Sequence, residues 1–186
     1  RAVADLTGRT EKQTGQRAVT VGVGMPGSLS PATGLVRNAN SLWLNGKPFL
    51  ADLKAALGRP VRVENDANCF ALSEAVDGAA AHRRVVFGVI IGTGCGGGVV
   101  VERKVVEGVN GIGGEWGHTP LPWARPDEDA GRHWCGRPNC MEQWVSGSGF
   151  KQWSGMEAHK ADEAARAGDA TARVALDLLG DRLARG

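Results

Sequence analysis

Apolar residues recur along the chain with two different periods, which predicts a mixture of strands and helices. Residues 18–25 and 84–91 are rich in β-branched side chains and have the composition of buried strands. Residues 49–57, 67–77 and 169–184 instead repeat their apolar side chains at helical spacing. Because strands and helices alternate along the chain, the pattern indicates an α/β fold.

Two finer expectations come from the same pattern. The helix predicted at 67–77 places Cys69, Leu72 and Val76 on one side, which we expect to face the core. The strand predicted at 84–91 is strongly apolar, as is typical of a sheet that is covered on both faces. Both expectations rest on residue types alone.

Composition and charge narrow the class of protein. The chain has 186 residues, of which 42% are hydrophobic and 23% charged, as in a soluble globular protein. Its formal net charge of +2 is too small to indicate a nucleic acid or an anionic membrane as a partner. No apolar run approaches the roughly 20 residues that span a bilayer, and residues 1–16 lack the apolar centre of a signal peptide. We therefore predict a cytoplasmic protein.

Glycines cluster most densely at residues 92–98, between two apolar stretches, where we predict a glycine turn. Without side chains, backbone N–H groups can converge on phosphate oxygens, and the Thr93 hydroxyl adds a donor. The alternative is a tight hairpin that merely needs positive φ angles. A strand follows, so the segment is not a dinucleotide-binding loop, and it lacks the lysine of a P-loop. The candidates for phosphate contact are Gly92, Thr93, Gly94, Cys95 and Gly96.

A second candidate is the segment Glu64–Asn68, directly after a predicted short strand at 60–64. Carboxylates at the carboxyl end of a sheet strand lie where α/β proteins bind ligands. Asp66 there suits a general base that accepts the proton of a sugar hydroxyl. The alternative is that Asp66 only caps the following helix. The segment by itself leaves both interpretations open.

Four potential zinc ligands lie within 23 residues: His118, His133, Cys135 and Cys140. Thiolates and imidazoles in a tetrahedral arrangement suit zinc, and four protein ligands make a closed, structural site. In an intracellular chain such a cluster indicates a metal more readily than a disulfide. The alternative is a packed histidine beside two free thiols.

A zinc ion at this place would also position two acidic residues. Glu115 comes three residues before His118, and Glu142 comes two after Cys140. A metal that ties the two segments together brings these carboxylates close to each other, and carboxylates accept hydrogen bonds from sugar hydroxyls. The predicted role of the metal is therefore positioning, and not Lewis-acid catalysis.

Taken together, these segments resemble the ROK (repressor, open reading frame, kinase) family. Residues 23–27 resemble its GxPG loop, 64–68 its catalytic segment and 92–98 its second phosphate loop. Residues 114–118, followed by 135–136 and 140–142, resemble its zinc signature. They occur in the order of the family and cover most of residues 18–150. The resemblance is specific because it combines four motifs that are weak one by one.

The resemblance implies an actin-like (ribonuclease H-like) fold of two lobes, assembled as a homodimer. It implies a hexose kinase that uses ATP with magnesium, with Asp66 as the base on the attacking hydroxyl and a zinc ion in the signature. Residues 1–110 would belong to the N-terminal lobe, and 111–186 to the zinc segment and the start of the C-terminal lobe. The residues implied around the sugar are Asn40, Asn65, Glu115, His118 and Glu142.

Within the family, residues 38–46 and 114–118 look most like the bacterial fructokinase (manno-fructokinase) branch. The expected reaction is then the conversion of fructose to fructose 6-phosphate. The alternatives are a kinase for N-acetylglucosamine, glucose or mannose, and a sugar-sensing transcriptional repressor without kinase activity.

The chain departs from the family pattern in four ways. His133 stands where a third cysteine is usual; it can ligate zinc, or it can point away and leave water as the fourth ligand. Asn139 stands where glycine is usual. The N-terminal Asp-x-Gly-Gly-Thr phosphate loop and the C-terminal glycine-rich adenosine segment are not found in the sequence. We therefore expect a piece of a longer protein, which by itself would offer ATP only part of its contacts.

Overall fold

The computed structural model describes residues 1–186 and has an α/β architecture. Every strand and helix named above is found, with ends shifted by a few residues. The strands are β1 (Val21–Met25), β2 (Ser28–Leu29), β3 (Val36–Arg37), β4 (Val61–Asn65), β5 (Val85–Ile91), β6 (Cys95–Val101) and β7 (Lys104–Val105). The helices are α1 (Ala2–Thr14), α2 (Phe49–Leu57), α3 (Asp66–Val76), α4 (Glu142–Val145), α5 (Gly147–Ser154), α6 (Ala158–Arg166) and α7 (Ala170–Arg185).

β1 and β4 form a parallel pair that carries two of the motifs to one edge. The register runs from Val21 opposite Val61 to Met25 opposite Asn65. Both strands therefore end side by side, and the loop after β1 and helix α3 after β4 begin at the same edge. Gly27, with φ 74°, turns the first loop, where a Cβ atom would lie 2.4 Å from the Arg37 carbonyl oxygen.

β5, β6 and β7 form an antiparallel sheet in which Ile91 pairs with Cys95. The glycine turn is therefore shorter than predicted, since only residues 92–94 lie outside the strands and 95–98 belong to β6. The glycines of β6 serve close packing: a Cβ atom on Gly98 would lie 2.9 Å from the Ala71 Cβ of α3. Helix and sheet are in contact where only small residues fit.

The prediction of which side of α3 is buried was wrong for two of its three residues, since only Leu72 packs, half-buried, against the core. Its buried residues are Ala67, Asn68, Ala71 and Ala75, whereas Cys69 and Val76 are exposed. The reason is the close approach to β6, which selects alanine and excludes larger side chains. Apolar spacing alone does not reveal such a contact, because alanine contributes little to an apolar stripe.

β5 also differs from its prediction: on one face of its sheet Trp116 packs against Phe87, but only the opposite face is covered by a helix. α3 packs on that face. The alternate side chains of the strand point the other way and remain 40–65% exposed. They are Val85, Phe87, Val89 and Ile91.

The C-terminal helices pack around a core that includes Met141, Trp144 and Val145. α6 was not predicted, because its sequence is polar apart from alanines. α7 was predicted, and it buries Ala172 and Ala175 as helical spacing suggests. None of the helices combines the length and apolarity needed to cross a membrane.

A buried ion cluster joins α7 to the irregular segment that precedes α4. The Glu128 carboxylate accepts hydrogen bonds from Arg182 Nε at 2.9 Å and from Arg185 Nη2 at 2.7 Å. Arg182 also lies 4.2 and 4.3 Å from the ring centroids of Trp144 and Trp153. Hydrogen bonding, from Arg185 above all, lowers the pKa of Glu128 to about 2 although burial opposes it. The carboxylate is thus charged at neutral pH and pins the segment to the helix.

Candidate active site

One cavity of about 660 Å³ lies between the carboxyl ends of β1 and β4, the β5–β6 turn and the irregular segment before α4. Its size is within the range of small-molecule sites. Every residue predicted from the sequence to contact sugar or phosphate lines it, together with two of the four predicted metal ligands. These residues are Asn40, Asn65, Asp66, Gly92, Thr93, Gly94, Cys95, Gly96, Glu115, His118, His133 and Glu142.

The first wall of the cavity is formed by Asn65 and Asp66 at the start of α3, and their hydrogen bonds show which of them caps the helix. Asn65 is the N-cap residue, and its Oδ1 accepts hydrogen bonds from the N–H groups of Ala67 and Asn68 at 2.9 and 3.1 Å. Its Nδ2 donates to the Gly27 carbonyl oxygen at 3.1 Å. Asp66 begins the helix and accepts only from Ala67 N–H at 2.9 Å, through Oδ1. Capping is thus provided by Asn65, and one Asp66 oxygen is left without a partner in the chain.

At the β5–β6 turn, two backbone N–H groups remain free for a ligand. The Gly92 N–H donates to the Gly94 carbonyl at 2.9 Å, and the Cys95 N–H donates to Glu142 Oε2 at 2.8 Å. The N–H groups of Thr93 and Gly94 have no acceptor within the chain. Of the five predicted phosphate contacts, these two keep a donor that is directed at no other group.

The four predicted metal ligands converge. One ligand atom from each of His118, His133, Cys135 and Cys140 lies within 4.8 Å of the others. The two sulfurs are 3.6 Å apart, and His133 Nδ1 lies 3.2 Å from Cys135 Sγ. Two sulfurs at about 2.3 Å from one tetrahedral zinc would be about 3.8 Å apart.

An unpartnered nitrogen supports the same interpretation. His118 Nδ1 is buried and has no hydrogen-bond partner, which is costly unless something else occupies that position. The donor set of two thiolates and two imidazoles therefore fits a closed zinc site.

The other nitrogen of each histidine faces a carboxylate. His118 Nε2 lies 3.8 Å from Glu115 Oε2, and His133 Nε2 lies 3.1 Å from Glu142 Oε1. Metal-binding histidines commonly donate their second ring N–H to such a group. The arrangement agrees with the expectation that the metal cluster positions the two acids.

Asn139 keeps the turn before Cys140. It adopts a left-handed conformation with φ 53°, which asparagine tolerates better than most residues. Its Oδ1 accepts hydrogen bonds from Ala130 N–H at 3.1 Å and from Trp144 Nε1 at 2.7 Å. The asparagine thus replaces the usual glycine without loss of the turn and adds contacts that glycine lacks.

Burial and neighbouring charges set the electrostatics of the site. Burial raises the pKa of Glu115, the charges of Asp66 and Glu142 add to the rise, and His118 partly opposes it. Burial, followed by the contact with Cys135, raises the pKa of the Cys140 thiol to about 12. Without a cation this thiol stays protonated, whereas a bound metal ion deprotonates a coordinating thiol.

The structure adds lining residues that sequence reasoning missed. Trp134 packs against both histidine rings, with centroids 5.1 Å from each, and donates from Nε1 to Glu142 Oε1 at 3.0 Å. Its position between two predicted metal ligands was the one available signal. Four others lie outside every motif named above: Arg132, Gln143, Ser148 and Gln152.

The model of the ROK family matches residues 1–186. The chain belongs to the ROK family. An N-acetyl-D-glucosamine kinase of Vibrio cholerae is 46% identical over 154 residues, which cover 80% of this chain and 51% of that protein. The chain spans about half the length of the curated relatives that it matches.

Solved structures of ROK proteins have the same fold as this chain. A ROK hexokinase from Thermus thermophilus superposes with a TM-score of 0.82 at 30% identity, covering 97% of this chain and 61% of that one. A ROK glucokinase from Streptomyces griseus, in complex with glucose and AMPPNP, gives a TM-score of 0.71 at 26% identity, covering 97% and 64%. The predicted family and its actin-like α/β fold are confirmed, but the fructokinase branch is not, since the curated relatives carry the name of the alternative sugar.

Proposed function

We propose that this ROK chain forms the sugar-binding and catalytic part of a kinase that transfers the γ-phosphoryl group of ATP to a hexose hydroxyl. The observation that carries the proposal is the shared cavity, which is lined by Asp66, Glu115 and Glu142 and by Thr93 and Gly94, whose N–H groups have no acceptor in the chain. Carboxylates suit sugar hydroxyls, and converging N–H groups suit phosphate oxygens.

Asp66 is the proposed general base. It lies at the first turn of α3, where the helix dipole stabilises a carboxylate, and one of its oxygens has no partner in the chain. That oxygen would accept the proton of the attacking hydroxyl. Asn65, fixed to the Gly27 carbonyl, would hold the substrate beside it.

The remaining groups position the sugar and the phosphates. Glu115, His118 and Glu142 would accept or donate hydrogen bonds to sugar hydroxyls, with Asn40 at the rim. The N–H groups of Thr93 and Gly94 would stabilise negative charge on the transferred group. Magnesium bound with ATP would neutralise part of the phosphate charge.

Zinc belongs to the proposal as a structural ion. Its ligands would be His118, His133, Cys135 and Cys140. The two histidines, held by the metal, would in turn position Glu115 and Glu142. The two-lobe division near residue 110, the homodimer and the cytoplasmic location stay predictions.

N-Acetyl-D-glucosamine is the first candidate substrate, because the 46% identical relative is named for it. Fructose is the second, because residues 38–46 and 114–118 resemble the fructokinase branch. A site that hydrogen-bonds a given substituent discriminates strongly against sugars that lack it. The two sugars should therefore differ widely in kcat/KM.

The test is a sugar panel with the full-length protein, measured by coupled ADP release. We expect one of N-acetyl-D-glucosamine, fructose, glucose or mannose to dominate. Sugar binding without ADP release from any of them would contradict the kinase. A sugar-sensitive gel shift with operator DNA, together with the absence of ADP release, would favour the repressor alternative.

A further inference from the structure

His133 lies between the metal cluster and a carboxylate of the cavity. Its side chain is only 6% exposed. Nδ1 lies 3.2 Å from Cys135 Sγ, within the cluster, and Nε2 lies 3.1 Å from Glu142 Oε1. Each ring nitrogen therefore has its own contact, and the two contacts connect different parts of the site.

We infer that His133 is a positioning residue that holds Glu142 in place for the sugar, in addition to serving as a metal ligand. The part of the inference that concerns the sugar rests on the proposed function. A neutral imidazole carries one proton, so a metal on Nδ1 leaves that proton on Nε2. The Nε2–H group then donates to Glu142 Oε1, and the carboxylate takes a fixed orientation.

The contacts of Glu142 show why this donor matters. Its Oε2 accepts a hydrogen bond from Cys95 N–H at 2.8 Å, its Oε1 accepts one from Trp134 Nε1 at 3.0 Å, and His133 Nε2 lies 3.1 Å from the same Oε1. Trp134 is 53% exposed, whereas His133 is buried. A carboxylate has about four acceptor positions. With His133 as the inferred third donor, the protein fills three of them, which leaves one for a sugar hydroxyl.

A cysteine at position 133, the usual residue in the family that the sequence resembles, would not do both tasks. Its single sulfur can ligate zinc but has no second polar atom that reaches Glu142. Glutamine is the converse, because its terminal amide can donate from about the position of Nε2 while it is a poor zinc ligand. The two substitutions therefore separate the metal contact from the Glu142 contact.

The experiment compares His133→Cys and His133→Gln in the full-length protein, by metal analysis and by calorimetric titration with the preferred sugar. We expect His133→Cys to keep about one zinc per chain and to bind sugar about 10-fold more weakly, within the range of 10–100-fold seen for such supporting contacts. We expect His133→Gln, in excess zinc, to bind sugar within about threefold of the wild type and to bind zinc more weakly. KM should rise in His133→Cys more than kcat falls.

His159→Cys is the matched control, because it makes the same change at an exposed position of α6. It should change neither zinc content nor sugar affinity. Equal weakening of sugar binding in both His133 variants would show that the residue acts through the metal alone and would overturn the inference. Normal sugar affinity in His133→Cys would overturn it too.

A readout that needs no sugar keeps this inference separate from the proposed function. In protein with isotope-labelled histidine, the His133 Nε2–H proton should be protected from exchange and should shift in Glu142→Gln. An unprotonated Nε2 would refute the contact even if the protein is a kinase. A protected Nε2–H without any ADP release would support the contact and refute the kinase.

Discussion

The two walls of the cavity are positioned by different means. The strand wall, Asn65 and Asp66, follows from regular structure: β1 and β4 end side by side, and Asn65 caps α3. The metal wall, residues 115–142, has little regular structure and depends on side-chain contacts among histidines, cysteines and carboxylates. We infer that the strand wall tolerates the loss of a single contact, whereas the metal wall depends on its ligands.

The largest expected effect comes from the strand wall. In the full-length protein, Asp66→Asn should lower kcat by about 10² to 10⁴-fold, because an amide cannot accept the hydroxyl proton. Folding and sugar affinity should be nearly unchanged, since Asn65 provides the cap. Coupled ADP release and sugar titration measure the two quantities. Asp77→Asn, at the exposed opposite end of α3, is the control. Near-normal turnover in Asp66→Asn would show that Asp66 is not the general base.

A change behind the metal wall should reduce stability. Glu128→Gln should lower the free energy of unfolding by about 3 kcal/mol, because it leaves Arg182 and Arg185 without their buried partner. Urea unfolding measures the effect, and Glu163→Gln on exposed α6 is the control. A loss as small as that of the control would show that the ion cluster contributes no net stability.

The same carboxylate predicts a dependence on pH. The pKa of Glu128 is lowered from 4.5 to about 2 in the folded protein. Its contribution to stability is therefore complete above about pH 4.5 and is lost as the pH falls towards 2. The difference in urea midpoint between wild type and Glu128→Gln should shrink over this interval, and a difference that stays constant down to pH 2 would contradict the assignment.

Loss of a metal ligand should affect the metal wall and leave the strand wall unchanged. Cys140→Ser should reduce zinc to well below one per chain and weaken sugar binding by about 10-fold or more, because Glu115 and Glu142 lose their supports. Cys69→Ser, at an exposed thiol outside the cluster, is the control. Metal analysis and calorimetry measure both effects. Unchanged sugar affinity after zinc loss would mean that the metal does not position the carboxylates.

The smallest expected effect lies where the β5–β6 turn meets the metal wall. A Cβ atom on Gly94 would lie 2.8 Å from Glu142 Oε2. Gly94→Ala should therefore displace Glu142 at a cost of about 1 kcal/mol and raise the sugar KM roughly fivefold. Gly22→Ala, where a Cβ atom meets nothing within 4 Å, is the control in steady-state kinetics. An unchanged KM would show that Glu142 is free to move.

The sequence alone determined the α/β class, the main elements and the residues that gather at the cavity. Strand ends, caps and the His/Cys cluster are recorded in local residue types and spacing, whereas Asn40, Asn65 and His118 were expected at the sugar only through the resemblance to the ROK family. It misjudged the buried side of α3 and the length of the glycine turn, because both depend on how closely a helix approaches β6.

Only the tertiary structure decided how the site residues share their hydrogen bonds. Asn65 and Asp66 are neighbours with similar capping ability, and the contact between Asn65 and Gly27 makes Asn65 the cap. His133 could point to a metal or away from it, and the structure shows one nitrogen in the cluster and the other at Glu142. Such choices join residues that are distant along the chain, so no local pattern contains them.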